Sequence, residues 1–102
     1  MIKESSIQEV LSRVDMVDIV RPYTTLMRKG SKWLGLSPFN PGEKTPSFYI
    51  DPAKNVYYCF SSMQGGDIIK FVQLKQNLNY WEATDFLANR YNIELQYEVV
   101  RP

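Results

Sequence analysis

The chain has 102 residues, 44% hydrophobic and 23% charged, the balance of one small globular domain with a modest core. Its formal net charge of +1 excludes a generic polyanion binder; the lack of histidine, with Cys59 as the single cysteine, excludes an internal disulfide, a tetrahedral Cys/His zinc site and histidine-based acid–base catalysis. No apolar run reaches membrane-spanning length, the start "MIKESSIQEV" lacks a signal-peptide layout, and one cysteine suits a reducing, cytoplasmic setting, so no membrane partner is expected.

In chain order, two short helices come first. Ser6-x-x-Glu9 is a capping-box pattern, and Ile7, Val10, Leu11 and Val14 then fall on one helical face. Asp15 can cap a second helix with Val17, Ile19 and Val20 inward, stopped by Pro22 and the residues after it. The centre reads as β. "TLMRKG" and "KWLGL" flank a hairpin turn at Gly30-Ser31, and "SFYID" and "NVYYCF" flank a second turn containing "PAK". Between the hairpins, "SPFNPGEKTP" carries three prolines and a glycine and belongs to no regular element. Two hairpins predict a small antiparallel sheet of about four strands that needs helices on one face, an α+β fold. Gly65-Gly66-Asp67 reads as a turn and cap before a helix with Ile68, Phe71, Val72 and Leu74 on its apolar face. Asn79-x-x-Glu82 repeats the capping-box logic before Ala83, Phe86, Leu87 and Tyr91, and Asn92 is a helix stop. Residues 1–93 form the domain, and 94–102 lack a strong pattern and read as a tail or linker.

Charge is uneven. From Arg21 to Lys54 there are six basic residues (Arg21, Arg28, Lys29, Lys32, Lys44, Lys54) against two acidic ones (Glu43, Asp51), enough to attract phosphates if gathered on one surface and equally compatible with a solvated sheet face. No Asp/Glu cluster has spacing suited to magnesium or calcium, and no nucleophile–base pair suggests a catalytic site. The spacing of four residues stands out. Ser37 and Asn40 have two residues between them, as do Cys59 and Ser62, with eighteen between Asn40 and Cys59. That is the spacing of a four-ligand zinc site, yet only Cys59 is a good zinc ligand.

"LSPFN", "EKTPSF", "YYCFSS" and "GGDIIKF" occur in the order and spacing of the N-terminal zinc-binding domain of DnaG-type bacterial DNA primases, the CHC2 zinc-finger family. The chain resembles that family from roughly Ser6 to Ile93, and the resemblance implies a zinc-ribbon-like fold. Where the family has its metal ligands, this chain has Ser37, Asn40, Cys59 and Ser62. A serine hydroxyl stays protonated near neutral pH and an asparagine amide is a weak neutral donor, so neither replaces a thiolate or imidazole. No zinc and no other cofactor is therefore expected, another metal would need carboxylates that the motif lacks, and the fold must do without about 10–16 kcal/mol of metal-binding energy. Trp33, Phe39, Phe48, Tyr49, Tyr57, Tyr58, Phe60 and Phe71 are the candidates to compensate through aromatic packing. Ser37, Asn40 and Ser62 are expected to hydrogen-bond to one another or to turn amides around a buried Cys59.

The resemblance further implies a module that engages single-stranded DNA template and helps select initiation sites, with a primase catalytic domain and a replicative helicase as partners in the parent system. Arg28, Lys29, Lys32 and Lys44 suit phosphates, and Trp33, Tyr57 and Tyr58 suit base stacking. Strand alternation puts Tyr57 and Cys59 on one face and Tyr58 and Phe60 on the other, so one tyrosine faces the core. Trp33 equally suits hairpin packing. The alternative function is a protein-interaction module that docks to a catalytic domain or helicase without touching DNA.

Overall fold

The computed structural model describes residues 1–99. Two helices, a five-stranded sheet and two further helices follow one another along the chain: α1 (Glu4–Arg13), α2 (Met16–Val20), β1 (Met27–Lys29), β2 (Lys32–Gly35), β3 (Phe48–Asp51), β4 (Val56–Cys59), β5 (Gln64–Asp67), α3 (Ile68–Gln76) and α4 (Tyr80–Arg90). The α+β architecture expected from the sequence is present, with strand order β1-β2-β3-β4-β5 and every neighbouring pair antiparallel.

The sheet has one strand more than the two hairpins predicted. Gln64–Asp67 pairs along β4, with Gly65 opposite Tyr58 and Gly66 opposite Tyr57. Glycine is required here by close approach: a Cβ at Gly65 would stand 2.7 Å from Tyr58 Cδ2. A strand whose centre is two glycines shows no hydrophobic alternation, so it reads as a turn. Asp67 nevertheless caps α3 as expected, its carboxylate accepting the Lys70 N–H at 2.9 Å. At the first hairpin, Gly30 takes φ +62°, the left-handed conformation that glycine adopts without penalty.

Three local expectations hold and two do not. Asp15 accepts the Val17 N–H at 2.9 Å, Asn79 and Glu82 close a reciprocal capping box, and Asn92 sits at φ 54° just past α4. Ser6 does not cap α1, which starts at Glu4 behind Lys3 with no side-chain cap. Ser6 is buried instead, and its Oγ accepts the Gln96 N–H at 2.9 Å, because the C-terminal segment packs there and needs an acceptor. Leu74 is exposed rather than part of the α3 stripe, whose buried residues are Ile68, Ile69, Phe71 and Val72.

The segment from residue 94, read as tail or linker, is tied to the N-terminus as far as Glu98. Lys3 N–H donates to the Gln96 carbonyl at 2.8 Å, Glu98 N–H donates to the Met1 carbonyl at 2.8 Å, and Ile2 and Tyr97 form an antiparallel bridge. Residues 100–102 of the same expectation lie outside the described residues.

Register assigns the two faces of the sheet. Directly opposite residues of an antiparallel pair share a face. Trp33 opposes Ile50, Ile50 opposes Tyr57, and Phe48 opposes Cys59, which puts all five on the side covered by the helices. Leu34 opposes Tyr49, and Tyr49 opposes Tyr58, on the outer side. The inner side holds an aromatic tetrad. Phe39, Phe48, Tyr57 and Phe71 make all six possible pairings at centroid distances between 5.4 and 6.1 Å, with Phe48 and Tyr57 stacked at 15° and Phe71 meeting them edge-on. Each such pair contributes roughly 0.5–1.5 kcal/mol beyond the area it buries. Phe39 comes from the loop between β2 and β3, so the tetrad anchors that loop to the core.

Candidate functional site

The four positions with zinc-site spacing converge only in part. Ser37 and Cys59 are both buried, and their side chains meet, the thiol donating to Ser37 Oγ at 3.0 Å. Ser37 Oγ also accepts the Phe39 N–H at 3.1 Å, the turn-amide contact expected of a small polar residue here. Asn40 departs from expectation. It is exposed, and it is held by its backbone, whose N–H donates to the Ser37 carbonyl at 3.3 Å. Ser62 Oγ is buried without a hydrogen-bond partner among the described residues.

What the sequence did not single out is a carboxylate at this spot. Glu43 Oε2 accepts the Ser37 N–H at 2.7 Å, and Oε1 accepts the hydroxyl of Ser47. Ser47 Oγ lies 2.8 Å from Ser61 Oγ, and Ser61 Oγ lies 3.4 Å from Cys59 Sγ. A closed ring results: Ser37, Glu43, Ser47, Ser61, Cys59 and back to Ser37. The hydrogens can be assigned. The carboxylate can only accept, so the single hydroxyl hydrogen of Ser47 goes to Glu43 and the Ser47–Ser61 contact uses the hydrogen of Ser61. These bonds hold the Glu43 carboxyl below its ordinary value, with the Ser47 hydroxyl and the Ser37 N–H acting against partial burial. Burial pushes the Cys59 thiol up, but hydrogen bonding from Ser37, Ser61 and Ser62 outweighs it and holds the thiol down at about 7.

The expectation that no carboxylate stands near the motif is thus corrected by Glu43. It does not make a zinc site. The donor set is one thiol, one carboxylate already accepting two hydrogen bonds, and neutral hydroxyls, and no group of three or more Cys, Asp or Glu side chains converges among the described residues. These residues do not fit a tetrahedral structural zinc.

The residues proposed for nucleic acid fall on both faces of the sheet. Lys29, Lys32 and Tyr58 share the outer face, and Lys44 is exposed in the loop before β3. Tyr57 is corrected: 2% exposed and stacked on Phe48, it cannot meet a base. Of the two neighbouring tyrosines, it is the one that faces the core. Arg28 and Trp33 oppose each other on the helix-covered side. Trp33 is half-buried against the core, with the guanidinium carbons of Arg21 and Arg28 5.6 and 5.7 Å from its ring centre, so hairpin packing is its role.

The outer face has its own aromatic group. Tyr58 and Phe60 meet at 4.7 Å and Tyr49 and Phe60 at 5.4 Å, each pair edge-on, and Phe60 is 58% exposed. With Lys32, Asp51 and Val56 they line an open groove of about 460 Å³. Strand alternation already paired Tyr58 with Phe60, but Tyr49 joins them only through the β3–β4 register. Lys32 is engaged, its Nζ 3.1 Å from the Asp51 carboxylate, and this hydrogen bond, backed by the Ala53 and Lys54 amides, holds Asp51 below its ordinary value.

Comparison with known proteins agrees with this geometry. The profile of the CHC2 zinc finger matches residues 2–101. The DNA primase of Aquifex aeolicus is 41% identical over 96 residues, which are 94% of this chain and 19% of that protein. The DNA primase of Helicobacter pylori strain J99 is 39% identical over 98 residues, 96% of this chain and 17% of that protein. The crystal structure of the zinc-binding and RNA polymerase domains of the Aquifex aeolicus primase superposes with a TM-score of 0.81 at 38% identity, covering 94% of this chain and 23% of that one. The chain therefore spans about a fifth of the relatives it matches. By profile, sequence and fold, it belongs to the CHC2 zinc finger family.

Proposed function

We propose that this domain is a template-DNA module of a primase that folds without zinc. The primase relatives support a role in primer synthesis, and the observation that carries the template reading is the outer sheet face. There Tyr49, Tyr58 and Phe60 stand together in the open, with Lys29 and Lys32 on the same face and exposed Lys44 in the loop before β3. Aromatic rings stack on unpaired bases whatever their sequence, and lysines meet the phosphates between them. Single-stranded DNA is the partner that uses both. The chemistry of primer synthesis belongs to a separate catalytic domain, since this chain carries no nucleophile–base pair. A replicative helicase is a partner of the same machine.

Binding of labelled single-stranded DNA, measured as a function of salt, tests this. Affinity should fall steeply with salt, and Lys29→Ala, Lys32→Ala and Lys44→Ala together should flatten that slope. No binding at low salt, or binding indifferent to the triple substitution, would remove the template reading. Metal-free folding has a separate test. Elemental analysis should find no stoichiometric zinc, and a chelator should leave the thermal midpoint where it was.

A docking role remains the second reading, favoured by one feature. Met27, Leu34, Leu36 and Pro46 line an apolar groove beside the β1–β2 hairpin, with Met27 and Leu36 exposed. Co-elution with a primase catalytic domain, lost on Met27→Asp while DNA binding persists, would favour it.

A further inference from the structure

We infer that the Glu43 carboxylate has taken over the bridging role that a metal ion plays at this spot in zinc-bearing members of the family. This rests on the reading that the chain folds without zinc. A metal in a ribbon joins two loops by binding ligands from each. Here the first loop contributes the Ser37 N–H and hydroxyl, and the second contributes Cys59 and Ser61. Two connections join them. One is the direct contact between Ser37 Oγ and Cys59 Sγ at 3.0 Å. The other runs from Ser37 through both oxygens of Glu43 to Ser47, and from Ser47 to Ser61 at 2.8 Å.

Glu43 is the member of the ring that no neutral residue replaces. It is the sole anion in the described chemistry of the ring when the thiol is protonated, and both its oxygens are used on different partners. A carboxylate accepts charge-assisted hydrogen bonds of roughly twice the strength of neutral ones. It therefore does for hydroxyl and amide donors what a cation does for thiolates: it gathers polar groups of one sense around a centre of the other. The substitution of ligands by Ser37 and Ser62, and the serines at positions 47 and 61, suit an anionic centre, because hydroxyls can donate and a thiolate cannot. Phe39, held in the aromatic tetrad, and Lys75, whose Nζ donates to the Pro38 carbonyl at 2.7 Å, fix the first loop from the core side. They leave the bridge to the second loop to the ring.

The test compares wild type with Glu43→Ala, Glu43→Gln and Ser47→Ala in thermal melts with and without chelator, together with zinc content and amide exchange at Ser37. Glu43→Ala should lower the melting midpoint by roughly 4–8 °C and release protection of the Ser37 amide, with no effect of chelator on any variant. Glu43→Gln keeps an acceptor and should fall between. Ser47→Ala in the Glu43→Ala background should add little, because the path is already cut. If zinc is absent but Glu43→Ala melts and exchanges as wild type, the bridging role is wrong and the metal-free reading stands. Stoichiometric zinc in the wild type overturns both. Should Glu43→Ala fail to fold, Glu43→Gln decides: unchanged Ser37 exchange in that variant overturns the inference.

Discussion

The side-chain oxygen of Asn55 accepts the backbone N–H of Met16 at 3.0 Å, fastening the turn between β3 and β4 to the junction of α1 and α2. The amide of the same residue donates to the carbonyls of Leu11, at 3.1 Å, and Val14. One turn residue thus satisfies the open carbonyls at the end of one helix and an open N–H at the start of the next. It does so with φ at 56°, a conformation asparagine tolerates better than most residues.

Replacing Asn55 should therefore be among the more damaging changes at a turn. Asn55→Ala loses three hydrogen bonds and keeps the strained backbone, a destabilisation of roughly 2–4 kcal/mol in urea unfolding. Asn55→Gly loses the bonds but not the backbone fit, and should be the more stable of the two by about 1 kcal/mol. Equal losses would mean that the left-handed conformation contributes nothing.

Tyr57 and Tyr58 should behave as opposites. Tyr58→Ala removes an outer-face ring and should weaken single-stranded DNA binding by about 1–3 kcal/mol with little change in the melting midpoint. Tyr57→Phe should leave DNA binding as it is. Its hydroxyl is buried without a partner among the described residues, and burial pushes that phenol up to about 12. Trading it for a ring of the same shape should stabilise the fold by roughly 1 kcal/mol. A destabilised Tyr57→Phe would reveal a partner for the hydroxyl in solution, such as a bound water.

The Lys32–Asp51 pair gives a pH dependence of defined sign. Asp51 titrates below its ordinary value of 3.8 because the Lys32 ammonium donates to it. A carboxyl depressed in the folded state adds stability that is complete above the unfolded value and is lost as pH falls through the folded one. In a carboxyl NMR titration, Lys32→Ala should move the Asp51 midpoint up toward 3.8. An unmoved midpoint would assign the shift to the Ala53 and Lys54 amides alone.

The same pairing ranks the lysines. Lys32 shares its charge with Asp51, whereas Lys29 and Lys44 form no ion pair among the described residues. Each lysine that releases a counterion on binding DNA accounts for about one unit of the salt slope. Lys29→Ala and Lys44→Ala should each reduce that slope by more than Lys32→Ala does. The reverse order would place the bound strand along the β2–β3 edge of the face, next to Asp51.

Much of the fold could be read from residues that act on near neighbours. Asp15 on Val17 and Asn79 with Glu82 are contacts within three positions of the chain, and sequence reveals such contacts directly. Ser6 matched the same pattern and failed, because a chain segment ninety positions away claims its hydroxyl. β5 was hidden by its own glycines, which are selected by the ring of Tyr58 lying across the neighbouring strand. The family frame located Ser37 and Cys59 correctly at one spot. Glu43 left no trace in any periodicity: it lies in an irregular loop, and only the folded path of that loop turns its carboxylate back onto Ser37.

The bridge between Ile2 and Tyr97 leaves Met1 and Glu98 in hydrogen-bond contact. A connection of a few residues could therefore close this polypeptide into a circle, and new ends could be opened at the exposed loop around Gly42 without cutting a strand or helix. Such a permuted version would keep the outer face and the tetrad but would break the covalent link between Ser37 and Glu43, leaving their contact as the sole tie there.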